Sequence, residues 1–350
     1  MRAFVQTGIG QFSERTLDRP VAGRGEVVLR MRAALTCGTD VKLLSRGHPK
    51  IQLPVTMGHE VCGEVAEVGE GVTGWRVGER AVPGISGPCG RCADCRAGRT
   101  NLCALGHADR AWGAFAEYVR IPAGVVAANL HRVPDGLSDE IAAFLDPVAS
   151  VLHGWNRLRE PAGTLLVYGA GALAFLWAAV ARRSGVEVLV AGRRPERAVL
   201  ASRFGARFVD LTRGPGMLGG DTTAPPDIAV DCTGDPAVWE LLPQLVRAGG
   251  QVMLFGGCAP GATASFDAAR LHYAEISVVG SFHYTPAQAR AALDMLASGS
   301  IDPAPLITAR GTLSDLPRFL DAQARGEGVR YAVLGGEPGP AMSGRAPAEV

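Results

Sequence analysis

Through the first 120 residues, short apolar runs alternate with glycine and proline, the pattern of brief strands joined by tight turns. Within residues 4–35 the clearest run is Glu26-Val27-Val28-Leu29-Arg30-Met31, and Pro20, Gly23 and Gly25 break the chain before it. Residues 61–82 continue as strands joined by Gly63, Gly69, Gly71 and Gly78, and Gly113-Ala114-Phe115-Ala116-Glu117-Tyr118-Val119 has the same character. Strands this densely punctuated predict a partly open β-barrel or twisted sheet. Residues 137–145 are helical in pattern. Asp146-Pro147 then opens a second helix through Leu152, His153 and Trp155, with Asp as a cap and Pro at the first helical position.

From Thr164 the texture changes. Leu165-Leu166-Val167-Tyr168 is a continuous apolar strand, as expected where both faces of a sheet are covered. It runs into Gly169-Ala170-Gly171-Ala172-Leu173-Ala174 and an apolar helix to Arg182, and a second strand over 186–191 ends at Gly192-Arg193-Arg194-Pro195. Further strands are expected at 227–231, 251–255 and 276–280, the order of a doubly wound parallel sheet. Residues 286–335 are mixed: a helix over 286–298, a segment over 301–307, a helix near 313–325 and a strand over 330–334, expected to rejoin the first domain. The division is therefore a first domain over 1–152, a dinucleotide-binding domain over 153–285 and a return to the first over 286–335. A Gly, Pro, Ala and Ser-rich tail over 336–350 is expected to be disordered.

At 350 residues and 47% apolar content, two cores can be filled. With 35 basic against 34 acidic residues the chain is nearly neutral, which argues against a nucleic-acid or membrane surface. No run of 18 apolar residues occurs, and Met1-Arg2-Ala3-Phe4-Val5 starts like a strand rather than a signal peptide. Four of eight cysteines share one loop, which fits a metal site in a reducing compartment better than a disulfide framework. The expectation is a cytoplasmic enzyme.

Three patterns carry chemistry. Thr36-Cys37-Gly38-Thr39-Asp40 and Gly58-His59-Glu60 offer a thiol, an imidazole and a carboxylate, a mixed set that zinc favours; the plain alternative is a buried Cys37 and residues after a turn glycine. Cys89, Cys92, Cys95 and Cys103, in a lobe over about 86–105, are spaced to close a tetrahedral shell around a structural zinc; disulfides or free thiols are the alternative. The turn holding Gly169, Gly171, Ala172 and Leu173 lies between strand and helix, where backbone N–H groups meet a pyrophosphate. After the second strand, Gly192 stands where an NAD site usually has an acid, followed by Arg193, Arg194 and Arg197. That pattern favours NADP(H) over NAD(H), unless it is simply a basic helix start.

Together, Cys37-Gly38-Thr39-Asp40, Gly58-His59-Glu60, the four-cysteine lobe, Gly113-Ala114-Phe115-Ala116-Glu117-Tyr118 and the glycine-rich turn closely resemble the zinc-dependent medium-chain alcohol/polyol dehydrogenases. The likeness runs over residues 1–335 in unbroken order. It implies a GroES-like catalytic barrel plus a Rossmann domain, two zinc ions per chain, and reversible oxidation of an alcohol to a carbonyl. It further implies Cys37, His59 and Asp146 as ligands of the catalytic zinc, against the reading of Asp146 as a helix cap. Glu60 becomes an occasional ligand, Asp40 orients His59, and Thr39 takes the substrate proton. Where many members continue the relay through histidine this chain has Lys42, so Lys42, water or His48 carries the proton onward.

By the same resemblance Cys232, Thr233, Gly256, Gly257, Ser281 and His283 line the nicotinamide half of the cofactor, although His283 also reads as a plain loop residue. Cys62, Cys232 and Cys258 are isolated, and Trp112 and Trp155 are pocket candidates. The expected partner is a small alcohol or carbonyl, leaning to a polyol, cyclitol or sugar-like metabolite, acted on by a homodimer or homotetramer. A zinc-free quinone or enone reductase, which normally lacks the ligands and the lobe, and a non-catalytic NADP-binding protein are the alternatives.

Overall fold

The computed structural model describes residues 1–47, 51–214 and 224–336; the His48 and tail expectations (337–350) lie outside the described residues. Among the described residues three sheets form. The first part of the chain contributes β1 (Arg2–Gly8), β2 (Gln11–Thr16), β3 (Val27–Leu35), β4 (Val55–Thr56), β5 (Glu60–Val68), β6 (Arg80–Pro83), β7 (Tyr118–Ile121) and β8 (Leu130–Arg132). One small antiparallel sheet runs β2-β1-β4, and β3 pairs with both β5 and β7 in a larger one. Alternate residues of β3 and β5 point inward, so Val27, Leu29, Met31 and Val65 meet Phe115, Ile121 and Phe319 in one core.

The second part is a six-stranded parallel sheet: β9 (Thr164–Tyr168), β10 (Glu187–Gly192), β11 (Arg207–Asp210), β12 (Ile228–Asp231), β13 (Gln251–Leu254) and β14 (Ser277–Gly280). Its order, β11-β10-β9-β12-β13-β14, reverses between β9 and β12. A ligand crevice opens at such a switch point, outside the carboxyl ends of the strands. The apolar run of β9 is buried because strands flank it on both sides and helices cover its faces. This is the expected mixed α/β class, a twisted antiparallel barrel beside a doubly wound sheet.

After that sheet the chain returns. β15 (Ile307–Gly311) pairs with β16 (Arg330–Leu334), and β16 runs antiparallel to β3 with Ala332 opposite Leu35. Among the helices, α1 (Gly38–Arg46) follows β3 directly. Next come α2 (Leu145–Trp155), α3 (Ala172–Arg182), α4 (Pro286–Ala297) and α5 (Leu316–Arg325). Helix α4 packs on α2 within the core that α3 shares, so this layer joins the two sheets.

One local reading is corrected. Asp146 does not cap its helix: α2 starts at Leu145, with Phe144 in the cap position and no side-chain cap bond. The turn ahead of it is already helical enough for Val148 N–H to reach Phe144 O (3.1 Å), so the carboxylate of Asp146 is not needed by the backbone. Trp155, a pocket candidate, is partly buried. It packs 6.2 Å from Trp177 against the core.

Candidate active site

Strand register assembles the first cluster. β3 and β5 are antiparallel with Leu35 opposite Glu60, so Cys37, just past one strand, and His59, just before the other, meet at the same sheet end. Antiparallel pairing of β16 with β3 brings Arg330 to that end as well. The donor atoms of Cys37, His59 and Glu60 all lie within 4.8 Å of one another. Asp146 lies outside that tight trio but close enough for its charge to act on Glu60, while His59 and Cys37 act on Asp146 in turn.

Each member is held in place. Cys37 begins α1, and its N–H donates to Asp40 Oδ2 (2.8 Å). The other Asp40 oxygen stands 3.4 Å from His59 Nδ1, which leaves Nε2 on the Glu60 side, 3.8 Å from Oε1. The Trp112 ring stacks on His59, with centroids 4.9 Å apart. Arg330 Nη1 stands 3.0 Å from Glu60 Oε1 and donates to Thr36 O (2.5 Å). Tyr284, from the loop after β14, bonds Asp146 with its hydroxyl, which also accepts from Ile85 N–H (3.0 Å). Thr39 is half-buried in the first turn of α1.

The electrostatics follow from burial. Burial pushes Glu60 well above the usual carboxylate range despite Arg330, and it raises Asp146 to about 6 against the pull of His59. Burial alone would raise the Cys37 thiol, but Arg330 and His59 override it and hold the thiol well below its ordinary value. His59 is held well above its ordinary value because Asp40 and Cys37 outweigh its burial.

The cluster fits a metal cation. Glu60 Oε2 and Asp146 Oδ1 are buried with no hydrogen-bond partner, and Arg330 is one cation shared by the Cys37, Glu60 and Asp146 donors, so a second positive charge is favoured among them. Sulfur, imidazole and carboxylate together suit zinc. The second cluster, Cys89, Cys92, Cys95 and Cys103, has its four sulfurs within 4.8 Å of one another. N–H groups of Arg91 and Cys92 pull the Cys89 thiol down to about 6, while burial and the neighbouring thiols push Cys95 up to about 12. Four sulfurs this close suit one ion binding all four as thiolates.

The third region is the crevice at the switch point. Gly169 takes φ +111°, and a Cβ there would lie 3.2 Å from Thr233 Cγ2, so the glycine turn and the end of β12 touch. Around Gly171, which precedes α3, there is open space for a ligand. Ala172 is buried in the first turn of α3, with Leu173 beside it. Gly192 ends β10 beside Ala170, where a Cβ would come within 2.6 Å. The basic cluster after it is only partly directed at the crevice. Arg194 donates to Arg325 O (3.2 Å) and buried Arg197 to Gly326 O (2.9 Å) and Gly328 O, while Arg193 is exposed.

Across the crevice, Lys42 Nζ donates to Thr233 O and Gly257 O, each at 3.3 Å. Cys232, half-buried and with its thiol raised by desolvation, and Cys258 both feel this lysine. Gly256 is buried against Gly234, and Ser281 follows β14 with a buried hydroxyl that finds no partner. His283 turns away toward the cysteine lobe: φ is +58°, and its Nε2 is 2.6 Å from Ser86 Oγ. Sequence reasoning missed Arg330, Tyr284 and Asp231. The last of these, fully buried at the end of β12, could have been found as an acid ending an otherwise apolar strand.

Known proteins resemble this chain in sequence and fold. The model described as "Alcohol dehydrogenase GroES-like domain" matches residues 23–135, and that described as "Zinc-binding dehydrogenase" matches 172–298. A sorbitol dehydrogenase of Halalkalibacterium halodurans is 30% identical, covering 94% of this chain and 98% of its own. An L-threonine 3-dehydrogenase of Shewanella loihica is 28% identical, covering 88% of this chain and 92% of its own. A zinc-binding dehydrogenase of Sinorhizobium meliloti 1021, solved bound to NADP, superposes with a TM-score of 0.84 at 30% identity, covering 95% of this chain and 98% of that one.

Proposed function

The chain belongs to the zinc-dependent medium-chain alcohol/polyol dehydrogenases, and from that premise we propose that it interconverts a polar secondary alcohol and its ketone with NADP(H). As a zinc-binding, NAD(P)-dependent alcohol dehydrogenase it acts on a small molecule; the finer points are our reading. The observation that carries it is the convergence of Cys37, His59 and Glu60 on one buried point, bordered by the nucleotide crevice through Lys42.

Cys37, His59 and either Glu60 or Asp146 hold the catalytic zinc, and the four lobe cysteines hold a structural one. When bound, the zinc supplies a Lewis acid toward an alcohol or carbonyl oxygen and the nicotinamide supplies the two-electron acceptor. Asp40 fixes the His59 ring through Nδ1, so that Nε2 remains for the metal. Arg330 balances the charge of Glu60 and thereby keeps that carboxylate in place. Thr39 takes the proton of the substrate hydroxyl. Trp112, flat against His59, keeps water from that face.

For the cofactor, Gly192 leaves no acid at the end of β10, and Arg193 answers the ribose phosphate. The related Sinorhizobium enzyme binds NADP, which supports this choice. Arg194 and Arg197 are engaged elsewhere, so the preference rests on one arginine. The catalytic unit comprises 1–152 with 286–335 and the nucleotide unit 153–285, in a cytoplasmic homodimer or homotetramer. No helix among the described residues is long and apolar enough to cross a membrane.

The test is a panel of polyols, amino alcohols and simple secondary alcohols assayed with both nicotinamide cofactors, beside metal analysis. Two zinc ions per chain and turnover of a polyol with NADP agree with the proposal. Turnover with NAD alone, unchanged in Arg193→Ala, removes the cofactor assignment. Full activity in Cys37→Ser removes the metal site.

A further inference from the structure

We infer that Lys42 is a positioning residue: its ammonium ties the metal-bearing half of the cleft to the platform under the nicotinamide ribose and holds that end of the dinucleotide. The inference rests on the dehydrogenase reading. Lys42 lies on α1, five residues beyond Cys37, yet its Nζ stands 3.3 Å from both Thr233 O and Gly257 O, which belong to the other sheet. Those carbonyls follow β12 and β13. In a sheet ordered as this one is, the β9–β11 half takes the adenosine, and the half containing β12 to β14 takes the second mononucleotide.

The acceptor pair is rigid. Asp231, fully buried, accepts from Thr233 N–H (2.7 Å), Thr233 Oγ1 (2.6 Å), Gly234 N–H (2.9 Å) and Trp239 Nε1 (2.8 Å). The loop after β13 lies on it so closely that a Cβ on Gly256 would stand 2.3 Å from Gly234 N, and one on Gly234 2.3 Å from Gly257 O. Two backbone carbonyls are thus fixed around one point, and Lys42 reaches it from α1. An ammonium has three N–H donors. Two meet the carbonyls at the long end of hydrogen-bond distance, and the third serves a ribose hydroxyl or the pyrophosphate. A side chain whose N–H groups point at two carbonyls is a donor there, not the acceptor that onward transport of the substrate proton from Thr39 requires.

The zinc-loaded full chain, Lys42→Met and Lys42→Arg are titrated with NADPH and NADH by cofactor fluorescence, and with 2′,5′-ADP and AMP by competition. Lys42→Met is expected to weaken the dinucleotides about tenfold or more, the loss of a hydrogen bond from a charged donor. The adenosine fragments should bind as before, Lys42→Arg should recover most of the loss, and the pH midpoint of kcat should stay in place. Unchanged dinucleotide affinity, with a lowered kcat that added methylamine restores, would make Lys42 a proton carrier and overturn the inference. Equal weakening of dinucleotides and fragments would overturn it too, by making the residue a general structural support. Wild-type protein that binds no nicotinamide dinucleotide at all would instead strike the dehydrogenase reading itself.

Discussion

Arg330→Met tests the charge balance of the metal centre. Both Arg330 and Glu60 are buried, at 2% and 1% exposure, and Nη1 stands 3.0 Å from Oε1. At that separation, with an effective dielectric of about 20, the attraction is about 5 kcal/mol once Glu60 is ionised, which its burial-raised pKa defers to alkaline pH. Removing one partner of a buried pair typically costs about 3–5 kcal/mol, because the other charge is left behind. Thr36 O also loses a donor. In metal-free protein at alkaline pH the substitution should therefore lower stability by about 4 kcal/mol, and by less near neutral pH, where burial keeps Glu60 protonated. With zinc present, Glu60 has a second cation beside it, and the loss should shrink by roughly half. Equilibrium urea unfolding followed by tryptophan fluorescence, with and without a chelator, measures both values. The double variant Arg330→Met with Glu60→Met removes both charges and should regain most of the metal-free stability, which separates a stranded charge from lost packing. Equal losses with and without zinc, or a loss below about 1 kcal/mol, would refute the reasoning.

Other outcomes follow from the same geometry. Cys103→Ser should release the lobe metal, so that metal analysis finds one zinc where the wild type holds two, and the lobe should become protease-sensitive while Cys37 and His59 keep theirs. His131 is buried, and burial and then Arg290 take its pKa down to about 4, against about 6.5 in an unfolded chain. The unfolded chain therefore takes up the proton first, and stability complete above about pH 6.5 is lost as the pH falls toward 4, by about 3 kcal/mol. Subtracting the denaturation curves of His131→Gln from those of the wild type should recover that loss, and a flat difference across the window would contradict it. Gly256→Ala places a Cβ 2.3 Å from Gly234 N and 2.7 Å from Asp231 Oδ2, so it should cost about 3 kcal/mol and weaken dinucleotide binding in a titration.

Much of the fold could be read from local pattern. The run Leu165-Leu166-Val167-Tyr168 followed by a glycine turn specifies a covered parallel strand and a phosphate turn without outside help. The pairing of Cys37 with His59 was legible for a similar reason: they flank successive long strands of one sheet, and antiparallel register does the rest. Arg330 was not legible. Its partner precedes it by 270 residues, and nothing around it in Arg330–Leu334 differs from an ordinary strand start until that strand pairs with β3. Local pattern misled at Asp146, where Asp-Pro reads as a cap although the helix begins one residue earlier. It misled in part at Arg194 and Arg197, whose acceptors lie about 130 residues downstream in the turn after α5. In each case a side chain was assigned by its neighbours in sequence and used by its neighbours in space.

That distinction explains why α1 matters more than its nine residues suggest. Its first cap is Cys37 and its fifth residue is Lys42, so one short helix carries a member of the buried donor cluster at its start and the tie to the nucleotide platform a turn and a half later. The rise of an α-helix fixes their separation at roughly 7 Å along the axis, whatever the surrounding loops do. Asp40 sits between them and bonds backward to the Cys37 N–H while its other oxygen faces His59, so the cap that starts the helix also sets the ring of a metal-ligand candidate. Helix capping, metal geometry and cofactor spacing therefore depend on the same turn of chain.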